Sequence, residues 1–163
     1  MRIRKDTTRI LDKLDLHILH LLQENARIPM KEIGEAVGLS ITPCIERIKR
    51  MERDGMIEGY HARINPAAIN AHLLVFVEIT LQQKSAGMFD QFRREVLRIP
   101  EVLECHLVSG DFDYLIKARI REMAEYRQLL GDMLLALPGA AQSKSYVVME
   151  EIKETLALPL MGR

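Results

Sequence analysis

An α+β fold in two units is predicted by three observations. Before residue 57 the apolar residues recur with helical spacing in three successive stretches; after residue 72 strand-like and helical runs alternate; and INPAAINAH, residues 64–72, breaks the chain between them. The division expected is residues 1–64, a linker at 65–71, and residues 72–163. With 163 residues, both parts are long enough to bury cores of their own.

In the first part, Leu14 and Asp15 read as a staple residue and N-cap for a helix with Ile18, Leu19, Leu21 and Leu22 inward, ending near Asn25. Ile33, Ala36 and Val37 mark a shorter second helix, and Gly38 supplies a tight turn into Leu39 and Ser40. The third helix lies within LSITPCIERIKRMERDGMIEGY, residues 39–60. Ser40 stands where it can cap that helix, Pro43 falls inside the first turn, where a missing N–H costs little, and Gly55 stops it. Ile45, Ile48 and Met51 form the packing stripe, leaving Thr42, Glu46, Arg47, Lys49, Arg50 and Arg53 off it. Gly59-Tyr60-His61-Ala62 reads as a short strand of a wing begun at Ile57, closed by Arg63 and Ile64, and ended by Asn65-Pro66.

A short helix, a glycine turn and a longer basic helix have the sequence form of a winged helix-turn-helix, whose last helix enters a groove of double-stranded DNA. Ser40, Thr42 and Pro43 are then expected at the groove edge, with Glu46, Arg47, Lys49, Arg50 and Arg53 facing bases and phosphates. The same pattern also fits a small helical bundle whose charges are merely solvated.

In the second part, LLVFVEITL (73–81) is an apolar, β-branched strand, and 88–97 is helical with Phe89, Phe92, Val96 and Leu97 apolar. Residues 102–108 and 114–120 read as strands, 126–137 as a helix ended by Pro138-Gly139, and 145–149 as a last strand. The order βαββαβ is ferredoxin-like. Two helices cover one face of a four-stranded antiparallel sheet, and the other face, bearing Leu74 and Phe76, is left for a second copy of the chain.

Composition narrows the function. Formal net charge is zero, with 12 Lys+Arg against 10 Asp+Glu in residues 1–63 and 11 against 13 in 64–163. Affinity for DNA must therefore come from a local patch, multiplied by assembly of several copies. No apolar run of about 18 residues occurs and MRIRKDTTR is polar, so neither a membrane span nor a signal peptide is expected. Two cysteines, Cys44 and Cys105, suit a reducing cytoplasm, and Cys44 reads as a small side chain packed at the start of its helix. His17 and His20 are three apart, but no Cys or carboxylate cluster completes a metal site. Methionines 51, 56, 88, 123, 133 and 149 read as core fill. Asp111 and Asp113 lack a nucleophile elbow, phosphate loop or metal spacing, so neither catalysis nor a cofactor is expected.

The same two carboxylates suit a different task. An amino-acid ligand needs acceptors for its ammonium, donors for its carboxylate and a lining for its side chain. Asp111 and Asp113 supply the first, N–H groups around Gly110 the second, and Leu107, Val108 and Phe112 an apolar lining suited to leucine or another apolar amino acid. A plain hairpin turn between two strands fits the Gly-Asp pair equally well.

LLVFVEITL, ECHLVSGDFDYL, YVVMEE and TPCIERIKRMERDGMIEGY together resemble the Lrp/AsnC, or feast/famine, family of prokaryotic transcriptional regulators, the match running from about Leu14 to Ile152. The resemblance implies a DNA-binding unit followed by an ACT-like effector and oligomerisation domain that regulates amino-acid metabolism. It also implies dimers joined through their sheets, octameric rings with DNA wrapped outside, and an amino-acid effector such as leucine held between dimers. The family's effector loop matches Ser109-Gly110-Asp111-Phe112-Asp113-Tyr114, and the stretch approaching it matches Ala140-Ala141-Gln142-Ser143. An architectural DNA-binding protein of the nucleoid type would share the basic helix and be indifferent to amino acids.

Overall fold

A computed structural model describes residues 11–137 and 139–160; MRIRKDTTR and Pro138, on which expectations above rest, lie outside them. Two compact units form, one running to Ala62 and joined by the segment from Glu154, the other Arg63–Lys153.

The first unit holds α1 (Lys13–Glu24), α2 (Met30–Val37) and α3 (Ile41–Arg53). The N-cap of α1 is Asp12, not Asp15. Asp15 N–H donates to Asp12 Oδ1 at 2.8 Å and Asp12 N–H donates back to Asp15 Oδ2 at 3.3 Å, so the two aspartates form a reciprocal capping box. Ile18, Leu22, Ile33, Val37, Cys44, Ile48 and Met51 make the core, while Ala36 faces solvent. Cys44 replaces Ile45 on the inward stripe of α3, because steps of four and three follow a 3.6-residue turn more closely than repeated threes. Between α2 and α3, Gly38 takes φ +70°, and a Cβ on Gly34 would meet the Leu39 carbonyl oxygen at 2.6 Å. The helix-turn-helix angle therefore depends on both glycines.

No strand forms at Gly59–Ala62, contrary to the wing expected there. A strand needs a ladder partner, and the sequence around it offers no second apolar run. The segment lies exposed, anchored by the Tyr60 hydroxyl, which donates to Glu52 Oε1 at 2.9 Å. The tail, grouped with the second part by sequence, pairs with α1 instead: Leu158 N–H donates to Gln23 Oε1 at 2.6 Å and Gln23 Nε2 donates to the Leu158 carbonyl at 3.0 Å.

In the second unit Asn65 caps a 3-10 turn, Pro66–Ile69, where the linker was expected. There follow β1 (Leu73–Leu81), α4 (Ala86–Val96), β2 (Val102–Leu107), β3 (Tyr114–Ile120), α5 (Met123–Ala136) and β4 (Ala140–Val147). All pairs in the sheet, ordered β2-β3-β1-β4, are antiparallel. Val75, Val77, Ile79, Ile116 and Ala118 point to the helices and pack with Phe92 and Met133. The opposite face is mixed and not simply apolar: Phe76 stands between Lys117 and Tyr146, and Glu78 between Leu115 and Lys144.

Three boundaries differ from expectation. Ser85 starts α4 early, its Oγ accepting from Met88 N–H at 3.3 Å; α5 opens at Met123; and β4 spans Ala140–Val147, well ahead of 145–149. Met51 and Met133 are core residues, but Met149 is 95% exposed and Met123 49%.

Candidate functional sites

On α3, Cys44, Ile48 and Met51 anchor one side, and the residues opposite are Thr42, Glu46, Lys49 and Arg53 at spacings of four, three and four. All four are exposed. Ser40 lies at the N-cap with its hydroxyl making no capping bond, Pro43 is half-buried, and Lys49 has no hydrogen-bond or ion-pair partner among the described residues. Arg53 Nε reaches Asp54 Oδ1 at 3.2 Å yet remains 71% exposed.

Arg47 and Arg50 sit on the flank of that stripe and turn toward α1. Arg47 Nη1 donates to Asp12 Oδ2 at 2.6 Å and Asp15 Oδ1 at 2.7 Å, and Arg50 Nη2 donates to Asp15 Oδ2 at 2.6 Å. Asp15's side chain is 3% exposed. The Asp15 N–H and the Arg47 guanidinium hold the Asp12 carboxyl below its usual range, and the two carboxylates in turn hold Arg47 charged. The sequence reading missed Asp12 and Asp15 as partners of the basic helix, since nothing local reports a pairing across more than thirty residues. Their capping box was legible in the spacing D-x-x-D.

In the second unit the two candidate effector segments flank the end of β1. Asp113 N–H donates to the Ile79 carbonyl at 2.9 Å on one side, while Gln142 pairs with Thr80 and Ser143 with Ile79 on the other. Each neighbour is one strand spacing away, about 4.8 Å. Ser109, Gly110 and Asp111 are exposed, Val108 and Phe112 half-buried, and Gly110 adopts φ +146°. Ala141 and Gln142 are exposed on β4 and Ser143 is half-buried.

Asp113 has two partners within the chain. Its Oδ2 accepts from Leu81 N–H at 2.9 Å and its Oδ1 is 2.9 Å from Lys84 Nζ, a side chain 59% exposed. Burial pushes its carboxyl up, but the Leu81 N–H and the Lys84 ammonium outweigh it and hold the group below the carboxylate range. Asp111 has no partner among the described residues. Tyr114 is a core residue, its ring stacked on Phe92 with centroids 3.9 Å apart, and burial pushes its hydroxyl up. Leu107 lies 57% exposed beside it, over a groove of about 390 Å³ between α4 and β2 floored by Phe92, Val96 and Cys105. The structure thus brings 108–113 and 141–143 to one end of the sheet and adds Lys84 and Leu81, which no local pattern had indicated.

Among the described residues no group of three or more His, Cys, Asp or Glu is placed to hold a metal ion, and no helix is long and apolar enough to cross a membrane.

Residues 11–52 match the family model for the AsnC-type helix-turn-helix domain and residues 74–158 that for the Lrp/AsnC ligand binding domain. The chain is 51% identical to the leucine-responsive regulatory protein of Escherichia coli (strain K12) over 153 residues, 94% of this chain and 93% of that one. Two solved structures are similar to it at 36% identity: the transcriptional regulator from Neisseria meningitidis in complex with L-Met, with TM-score 0.87 over 93% of this chain and 97% of that one, and an AsnC family transcriptional regulator from Agrobacterium tumefaciens, with TM-score 0.88 over 92% and 97%.

Proposed function

Because the chain belongs to the Lrp/AsnC family of transcriptional regulators, DNA-binding proteins that respond to an effector, we propose that its own effector is leucine or another apolar amino acid and that it acts in the cytoplasm as an assembly of dimers, an octamer in its full form. The observation that carries the DNA interface is the exposed stripe of α3. Thr42, Glu46, Lys49 and Arg53, with Ser40 at the helix start, are exposed and have no packing role that would compete with contacts to base edges and phosphates, and half-buried Pro43 stands beside them.

The effector site lies at the end of β1, where Asp111 and Asp113 accept from the ammonium, N–H groups around Gly110 bind the carboxylate, and Val108, Phe112 and Leu107 line the side chain. Gln142 and Ser143 approach from β4. The exposed face of this end in a single chain supports a site completed by a neighbouring dimer, so that binding there shifts assembly or DNA affinity without touching DNA.

Fluorescence anisotropy with a labelled duplex, with and without each apolar amino acid, tests both halves. Binding that changes with one amino acid and loses that response in Asp111→Ala is the expected result. DNA binding indifferent to every amino acid removes the effector reading and leaves the architectural one.

A further inference from the structure

We infer that Asp15 is a positioning residue for DNA recognition: it fixes Arg47 and Arg50 against α1, so that they set the seating of α3 while Lys49 and Arg53 meet the phosphate charge. This rests on the DNA-binding reading of α3 given above. Three short contacts carry it, at 2.6, 2.7 and 2.6 Å, all converging on the Asp12 and Asp15 carboxylates.

Charge balance is the first argument. Two carboxylates meet two guanidiniums, so the cluster is neutral and adds nothing to the field that draws a polyanion. Burial is the second. Asp15 is 3% exposed, and Arg47 and Arg50 are 23% and 30% exposed, so moving either guanidinium to a phosphate strips a buried carboxylate of a partner. Lys49 has no such tie, and Arg53 gives up only a contact to Asp54 that leaves it mostly in water. Geometry is the third. Asp12 and Asp15 are locked into the first turn of α1 by the capping box, and positions 47 and 50 lie one turn apart on the flank of α3 between its buried and exposed stripes. The pairs therefore fix the rotation of α3 about its own axis, which decides which side chains face outward.

The test is the salt dependence of binding to a fluorescein-labelled duplex of random sequence, where affinity tracks phosphate contacts. In the full-length chain, Lys49→Gln is expected to flatten the plot of log affinity against log salt by about one. Arg47→Gln and Arg50→Gln, which remove charges that face Asp15 and not the duplex, leave the slope as in wild type. Asp15→Asn removes the charge that holds Arg50 and leaves Arg47 with Asp12 alone, so it steepens the slope, by up to about one. A residue that merely stabilised the helices would move affinity through the folded fraction and not the slope. Flattening by Arg47→Gln and Arg50→Gln as large as that of Lys49→Gln overturns the proposal, as does an unchanged slope in a folded Asp15→Asn protein. If Asp15→Asn does not fold, the two glutamine variants decide alone. Failure of folded wild type to bind the duplex at any salt overturns the DNA reading and the positioning role with it.

Discussion

Asp15 in the helical unit and Asp113 in the sheet unit are the two charged side chains buried among the described residues, at 2% and 5% exposure. Each is fully partnered, but by groups of different kind. Asp15 is held by two guanidiniums on the flank of a helix, each less than a third exposed, and by a backbone N–H. Asp113 is held by one backbone N–H and by Lys84, whose flexible stem is mostly in water. The first arrangement fixes a helix. The second closes a loop with an ammonium that is free to leave, the same group an amino acid would bring. The difference teaches that burial of a carboxylate does not by itself decide whether it is structural or exchangeable; the exposure of its partner does.

The largest effect expected from this contrast is that of Asp15→Ala. Removing Asp15 leaves Arg50 without its carboxylate and Arg47 with Asp12 alone, and the partial exposure of both guanidiniums puts the loss at about 3 kcal/mol, the low end for a broken buried pair. Hydrogen exchange of amides in α1 and α3 should accelerate accordingly, while that of β1 and β3 stays as in wild type. Equal acceleration in both units would show that the ion pairs serve the whole chain and not one helix angle.

For Asp113→Ala the loss is expected to be smaller, about 1–3 kcal/mol, confined to the sheet unit and caused by the orphaned Leu81 N–H. Asp113→Asn retains an acceptor for that N–H and should recover most of it. Lys84→Met should cost no more than about 1 kcal/mol, because the Lys84 end of the pair is mostly in water and Asp113 keeps the Leu81 N–H. Thermal unfolding of the three variants gives the order, and a Lys84→Met loss equal to that of Asp113→Ala would erase the distinction between fixed and exchangeable partners.

Acidification sharpens the comparison further. The Asp113 carboxyl is held below its ordinary value, so the sheet unit gains stability from it above that value, near 3.9, and loses the gain as pH falls through the folded-state one. Stability of the sheet unit is therefore expected to drop below about pH 4, and Asp113→Asn to blunt the drop. A wild-type and Asp113→Asn pair with parallel stability profiles from pH 6 to about pH 2 would remove Asp113 as a source.

How far the sequence foretold this depends on where information about an element resides. Strands β1 and β3 were legible to the residue, because Val75, Val77 and Ile79 alternate with half-buried positions and Tyr114 to Ile120 does the same. The start of β4 was not. Its residues Ala140–Lys144 are small or polar and largely exposed on this edge strand, so backbone pairing to β1 alone makes them a strand. The helical stripe of α3 was legible at Ile48 and Met51 but not at Ile45, whose place Cys44 takes, and the company of Arg47 and Arg50 was not legible at all. A basic residue on a solvated face and one turned to a distant aspartate have the same spacing, and only the tertiary meeting of α1 with α3 tells them apart. Likewise, the loop 109–114 displayed its carboxylates in sequence while concealing Lys84, whose approach depends on the end of β1.

The smallest expected effect compares two serines at helix starts, one in each unit. Ser85 caps α4 through its hydroxyl, so Ser85→Ala should lower stability by about 0.5–1 kcal/mol. Ser40 occupies the same position on α3 with extended backbone but no capping bond, so Ser40→Ala should lower stability by less than about 0.3 kcal/mol, below the range for a working cap. A hydroxyl that does nothing for the helix remains available to a phosphate or base edge at the N-terminus of α3, where free N–H groups also favour an anion. Ser40→Ala is therefore expected to weaken DNA binding a few-fold at unchanged melting temperature, and Ser85→Ala to lower melting temperature at unchanged affinity for DNA. Chemical denaturation and anisotropy on the same two proteins read both axes. A Ser40→Ala protein that loses stability like Ser85→Ala, and binds DNA as wild type does, would return Ser40 to the role of an ordinary cap.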